Sequence, residues 1–165
     1  MIMCAMCGRP TSEHSRHMRF TLPDPVLALP ERERKAGAWM SHASPSDSVM
    51  MQIPDVGAFV RALLPVHLSD GDSVTFGVWV AIDPRDDRLR SIAELWWDDN
   101  RYGQLRLDGW LGNELPPWTG LLAAPVVAEV RDVKETPYCV SSTNDLLSRI
   151  LTEKWEPGPV LDALA

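Results

Sequence analysis

Hydrophobic and polar positions along this chain change period several times, and each change marks an element. From Ser48 the repeat is two: Val49, Met51 and Ile53 alternate with Met50 and Gln52, as a strand requires. Pro54-Asp55-Val56-Gly57 reads as a turn, and Ala58 to Leu68 is long, apolar and extended, completing a strand pair. Ser69-Asp70-Gly71-Asp72 supplies a second turn. The β-branched and aromatic run Val74 to Ile82 follows, with Phe76, Val78, Val80 and Ile82 on one face, and predicts a central strand.

After Asp83-Pro84 the period becomes helical. Leu89, Ile92, Ala93 and Trp96 recur at steps of three and four within Arg85 to Trp97. Tyr102 to Leu111 and Pro125 to Val133 predict strands, joined by the loop Gly112 to Trp118, and Tyr138 to Ser141 a short one. Ser142-Thr143-Asn144-Asp145 caps a last helix through Glu153, with Leu146, Leu147, Ile150 and Leu151 as its buried stripe. Nearer the start, Leu22-Pro23-Asp24-Pro25 predicts an extended or turning segment, because a residue before proline is pushed out of the helical region. Pro30 to Ala36 opens a helix that should stop near Trp39 to Ser41. The pattern predicts one α+β domain over residues 1–165. Its core is a mostly antiparallel sheet of about five strands with about three helices. Residues 1–20 form an N-terminal Cys-x-x-Cys knuckle and 155–165 a C-terminal tail.

Composition narrows the partners. With 165 residues at 45% hydrophobic content, the chain can bury a substantial core. Its 16 basic against 23 acidic residues give a net charge of −7, which repels nucleic-acid phosphates and anionic lipid. No nucleic-acid partner is expected. The balance is uneven, with six Arg or Lys against four acids in residues 1–42 and ten against nineteen in the remainder. The N-terminal segment can therefore dock on acidic surface, including that of its own chain. No run approaches the roughly 18–20 consecutive apolar residues of a membrane span, and Met1-Ile2-Met3-Cys4 lacks the basic and apolar regions of a secretory leader. A cytoplasmic location, without membrane attachment, is the expectation.

Metal chemistry concentrates at the N-terminus. Cys4 and Cys7 flank a two-residue turn relieved by Gly8, and His14 and His17 follow. Zinc takes four such ligands, and Cys4, Cys7, His14 and His17 supply them with gaps of two, six and two residues. Cys139, on a distant strand, is an alternative ligand. Redox use of the dithiol, or plain free thiols, remain open readings of the same pair. Three cysteines do not make a disulfide framework, so in a reducing compartment a structural zinc is the expected cofactor.

Several segments together resemble one bacterial family. Cys4-Ala5-Met6-Cys7-Gly8, Leu22-Pro23-Asp24, Ser46-Asp47, Phe59-Val60-Arg61 with Pro65-Val66, Phe76-Gly77-Val78-Trp79-Val80, and Gly109-Trp110-Leu111-Gly112-Asn113-Glu114-Leu115-Pro116-Pro117 stand in that order. Over residues 4 to 155 the chain resembles the uncharacterised family labelled domain of unknown function 2199. The resemblance implies a bacterial origin and a single compact domain, and no activity. Thr11 stands where that family commonly has a histidine, and Ser48 and Val49 where it often has a cysteine.

No signature of covalent or phosphate chemistry is present, neither Gly-x-Ser-x-Gly, nor a phosphate loop, nor His-Glu-x-x-His. Alternation places Phe59, Arg61, Leu63, Pro65 and His67 on one strand face, with Pro65 pointing to a sheet edge. Arg61 and His67 are thus either satisfied by neighbouring groups or, with Trp79, part of an anion or carboxylate pocket. Asp87, Glu94 and Asp98 share a helix face that reads as solvated. Seven tryptophans against two tyrosines and three phenylalanines are a surplus, and Trp97 and Trp118 are the candidates for a binding surface. Two functions follow. The first is a non-enzymatic interaction or regulatory protein whose partner is another protein. The alternative is a small-molecule binder or metal-assisted enzyme with a pocket near Arg61, His67 and Trp79.

Overall fold

The structure, a computed structural model, describes residues 16–85 and 87–164. In chain order the elements are β1 (Arg16–Arg19), α1 (Asp24–Leu27), α2 (Glu31–Lys35), β2 (Trp39–Met40), β3 (Met50–Ile53), β4 (Gly57–Leu68), β5 (Ser73–Ile82), α3 (Arg88–Trp96), β6 (Arg106–Leu111), β7 (Pro125–Glu129), β8 (Tyr138–Ser141), α4 (Asp145–Thr152), β9 (Lys154–Trp155) and α5 (Pro157–Asp162).

The long hairpin β4–β5 is the frame, in register from Ala58 opposite Ile82 to His67 opposite Ser73. Antiparallel pairing continues from β5 to β6, β7 and β8. Parallel contact of Tyr138 on β8 with Leu63 on β4 closes a barrel of five strands. Strand alternation then divides the residues between inside and outside. Val60, Ala62, Leu64 and Val66 of β4 meet Val74, Phe76, Val78 and Val80 of β5 in the interior, with Leu107, Leu111, Val126 and Ala128 opposite. Val78 and Val80 have no exposed surface, as their run predicts. α4 packs on β4 and β8, the two strands with only one register pair between them, so the helix covers the thinnest seam. Its cap is the expected one, with Asn144 Oδ1 accepting from Leu147 N at 3.0 Å.

A second apolar layer lies outside the barrel. Phe59 and Trp79 point outward from β4 and β5. They pack with Met51 and Ile53 of β3 and with Leu22 and Val26 from the segment that crosses over them. That segment begins at β1, which runs parallel to β5, and returns through β2 onto β3. Among the described residues no helix is long and apolar enough to cross a membrane.

The expected sheet requires correction. The described residues form nine strands rather than about five, and three pairings are parallel, β1 with β5, β4 with β8 and β4 with β9. Periodicity shows that a segment is extended, but not which way its partner runs. Among the described residues five helices stand in place of about three. α1 includes Asp24 in spite of Pro25, because proline fits the first helical turn. The helix expected to reach Trp39 stops at Lys35, Gly37 turns the chain at φ +67, and Trp39–Met40 pair with β3 instead. Residues 155–165 are more than a tail: α5 starts on Pro157 and buries Val160 against the barrel core. β4 is not an edge strand. Leu63 N donates to Pro137 O at 2.7 Å, so Pro65, two residues on, turns its missing donor to the same side. There it meets the gap between β8, which pairs at Leu63, and β9, which pairs from His67.

Candidate functional site

Arg61 lies on the outward face of β4 directly opposite Trp79 on β5. It is almost fully buried beneath the crossing segment. A guanidinium carries five donors in a flat fork, and here all its acceptors are backbone carbonyls. Nε donates to Ser48 O at 3.2 Å, and Nη1 to Phe20 O and to Gly77 O at 3.4 Å. Nη2 donates to Pro45 O at 3.2 Å and Thr21 O at 3.4 Å. The fork also stacks on the Trp79 indole, 4.0 Å from its centroid. Burial, with the nearby charge of Arg19, lowers its pKa to about 9, so it is a cation at neutral pH. Arg61 ties two separate stretches of chain, residues 20–21 and 45–48, to the barrel wall.

Asn113 makes the neighbouring tie. Its Oδ1 accepts from Trp79 N at 2.9 Å, while Nδ2 donates to Leu22 O at 2.9 Å and Asp24 Oδ1 at 3.1 Å. The other Asp24 oxygen accepts from Glu114 N at 2.7 Å. Gly112 N donates to Trp79 O at 2.7 Å, and Gly112 O accepts from Asp24 N at 2.8 Å. The residues that carry the family resemblance, Leu22 to Asp24, Arg61, Gly77 to Trp79 and Gly112 to Glu114, therefore converge on one polar lock. Their arrangement serves the fold.

The other candidates disperse. His67 is exposed six residues from Arg61 on the same strand, roughly 20 Å away at strand rise, so the expected pocket of Arg61, His67 and Trp79 does not assemble. The Trp118 indole is half-buried and meets Trp155 edge-on at 5.1 Å against the barrel core. Trp97 caps the end of α3 and is 53% exposed. His17 stands on β1 opposite Thr75, while Cys4, Cys7 and His14 lie outside the described residues. Cys139 is buried in the core, where desolvation pushes its thiol up to about 12, the wrong direction for a metal-binding thiolate. Among the described residues no group of three or more His, Cys, Asp or Glu is placed to hold a metal.

An open cleft of about 800 Å³ lies on the outer face of β6, β7 and β8, walled by the start of α3. Alternation on β6 buries Leu107 and Leu111 and sends Asp108 and Trp110 outward. The Trp110 indole, 43% exposed, forms the floor with Pro125 and Val127. Arg85 and Asp83 line the rim as a closed pair, Nη2 to Oδ2 at 2.8 Å, and those bonds hold the Asp83 carboxyl down at about 2. Asp108 is engaged by Arg106 Nε at 3.2 Å. Arg88, also on the rim, makes no side-chain hydrogen bond or ion pair among the described residues. Hydroxyls of Ser91, Ser141 and Thr143 complete the lining. Trp110 and Arg88 were not singled out in the sequence, although the parity of Trp110 with Asp108 across Leu107 and Leu111 marks it as outward-facing.

No curated protein and no solved structure matches this chain. A family sequence model matches residues 3–152, and several of the residues it spans meet in the lock around Arg61 and Asn113. The chain belongs to the family described as uncharacterized protein conserved in bacteria (DUF2199).

Proposed function

We propose that this chain is a non-enzymatic interaction protein of the bacterial cytoplasm that recognises another protein through the cleft beside Trp110. The observation that carries the reading is an exposed indole, fixed on a barrel strand, in a cleft whose rim Arg88 also lines. Tryptophan and arginine dominate the energetics of protein interfaces, because each brings large contact area and directed donors. A strand also presents its side chains with little entropy left to lose on binding. The carboxylates that could act as bases in the cleft, Asp83 and Asp108, are both engaged by arginines, which suits recognition better than proton transfer. Among the described residues no histidine lines the cleft. Structural zinc held by Cys4, Cys7, His14 and His17 is part of the same proposal, and its support is the ligand spacing.

Capture of partners from a bacterial lysate tests the recognition surface. Trp110→Ala should melt with the parent, since the indole is an outward surface group, and should lose a partner that the parent and Trp97→Ala both retain. Retention of every partner by Trp110→Ala overturns the reading.

A further inference from the structure

β6 has one paired edge and one that is largely free. Its ladder with β7 runs from Arg106 to Trp110, whereas that with β5 is confined to Leu111 and Trp110. Successive residues of a strand turn their N–H and C=O to opposite sides. Leu111 N donates to Ala124 O on the β7 side and Gly112 N to Trp79 O on the β5 side, so Arg106 and Asp108, at even steps from Gly112, face where β5 would continue. β5 is not there to meet them.

That strand ends at Ile82, and the chain turns at Asp83-Pro84 toward α3. The two strands last touch where Gly109 lies so close that a Cβ would stand 2.1 Å from Ala81 O. Beyond that point the backbone groups of Arg106 and Asp108 make no hydrogen bond on that side among the described residues. The cleft opens there, with Asp108 and Trp110 lining it from β6 and Arg88 and Ser91 from the far wall. Its charges select neither sign: Asp83 holds Arg85 while Arg88 also acts on it, and Asp108 shares Arg106 with Glu129. The unmet groups are those of the backbone. Two N–H and two C=O groups, repeating at roughly 7 Å, match another extended backbone rather than any side chain.

We propose, resting on the reading of this cleft as a protein-recognition site, that the partner enters it as an extended segment that pairs with the free edge of β6 in the place β5 vacates, one of its side chains covering Trp110. Main-chain bonds then supply affinity, and the side chain against the indole supplies specificity.

Selection of a random-peptide display library against the whole protein tests this. Binders should weaken at least about tenfold when an amide facing β6 is N-methylated, and should tolerate methylation at the residues on either side, because only alternate amides of a strand point at its neighbour. Asp108→Pro removes a donor from the free edge and none from the β7 ladder, so it should melt close to the parent. It should bind these peptides about tenfold more weakly, while Asp108→Ala binds them as the parent does. Equal loss in Asp108→Ala assigns the contact to the carboxylate and overturns the proposal. Binders that need Trp110 but ignore Asp108→Pro and every single N-methylation overturn strand addition and leave the recognition surface standing. A library that yields no binder, or binders indifferent to Trp110→Ala and Asp108→Pro alike, overturns both.

Discussion

Arg61 shows how one side chain can be fully buried without a counter-ion. Its positive charge is spread over carbonyl dipoles and an indole face, and its donors satisfy carbonyls of the chain that covers it. Arg61→Lys cannot replace it, because an ammonium has three donors in a compact head and does not stack flat. That variant should lose roughly 2–4 kcal/mol, and Arg61→Ala more, read as a shift in the urea midpoint. A midpoint unchanged in Arg61→Lys would deny the fork its role. The two tyrosines give a second test at this scale. Burial first, then Glu135, raises both Tyr102 and Tyr138 to about 12. For an acid with a raised folded pKa the native state holds its proton longer. The stability this brings is present below the unfolded value near 10 and is lost as pH rises toward about 12. Phenolate absorbance should therefore stay silent past pH 10 in the folded protein and develop normally in urea.

The elements differ in how far their residues announce them. β4 and β5 were legible because both faces of the hairpin repeat with period two, one face filling the barrel and the other buried under Leu22 and Val26. α4 was legible from its cap and stripe. β1, β9 and α5 were not, because Arg16–Arg19 and Lys154–Trp155 are too short to show a period and the prolines around Gly158 disguise a helix start. Arg61 and Trp79 stand opposite one another on the outward face of the hairpin, and alternation does not say what covers a strand. Where elements approach closely, glycine is required. A Cβ on Gly109 would stand 2.1 Å from Ala81 O across the β5–β6 contact, whereas one on Gly103 meets nothing nearer than 3.9 Å. Gly109→Ala should open that pairing and cost several kcal/mol, with Gly103→Ala near neutral in the same thermal melt. On the neighbouring strand Val78→Asp should unfold the protein, because an unpaired carboxylate inside the barrel costs several kcal/mol against a total of roughly 5–15. A folded Val78→Asp would reverse the assigned facing of β5.

For the molecule as a whole, the decisive question is how far the proposed N-terminal metal site and the barrel are coupled. Zinc binding at Cys4, Cys7, His14 and His17 would be folding energy for that segment, since the ligand geometry does not exist in an unfolded chain. The crossing segment is pinned independently of any metal. Phe20 N donates to Gly77 O at 3.0 Å, Phe20 and Thr21 carbonyls accept from Arg61, and Asp24 joins the Asn113 lock. Loosening caused by a chelator should therefore run through β1, which carries His17, and stop at Phe20. Hydrogen exchange after chelation should quicken before Phe20 while β4, β5 and α4 keep their protection. Stoichiometric zinc in protein purified without chelator is the companion measurement, and its absence removes the metal from the proposal. Exchange that quickens through β5 as well would mean that the metal, rather than Arg61 and Asn113, fastens the outer layer to the barrel. Arg61→Lys tells these apart, because if the lock carries the load that variant should loosen residues 20–40 with the metal still bound.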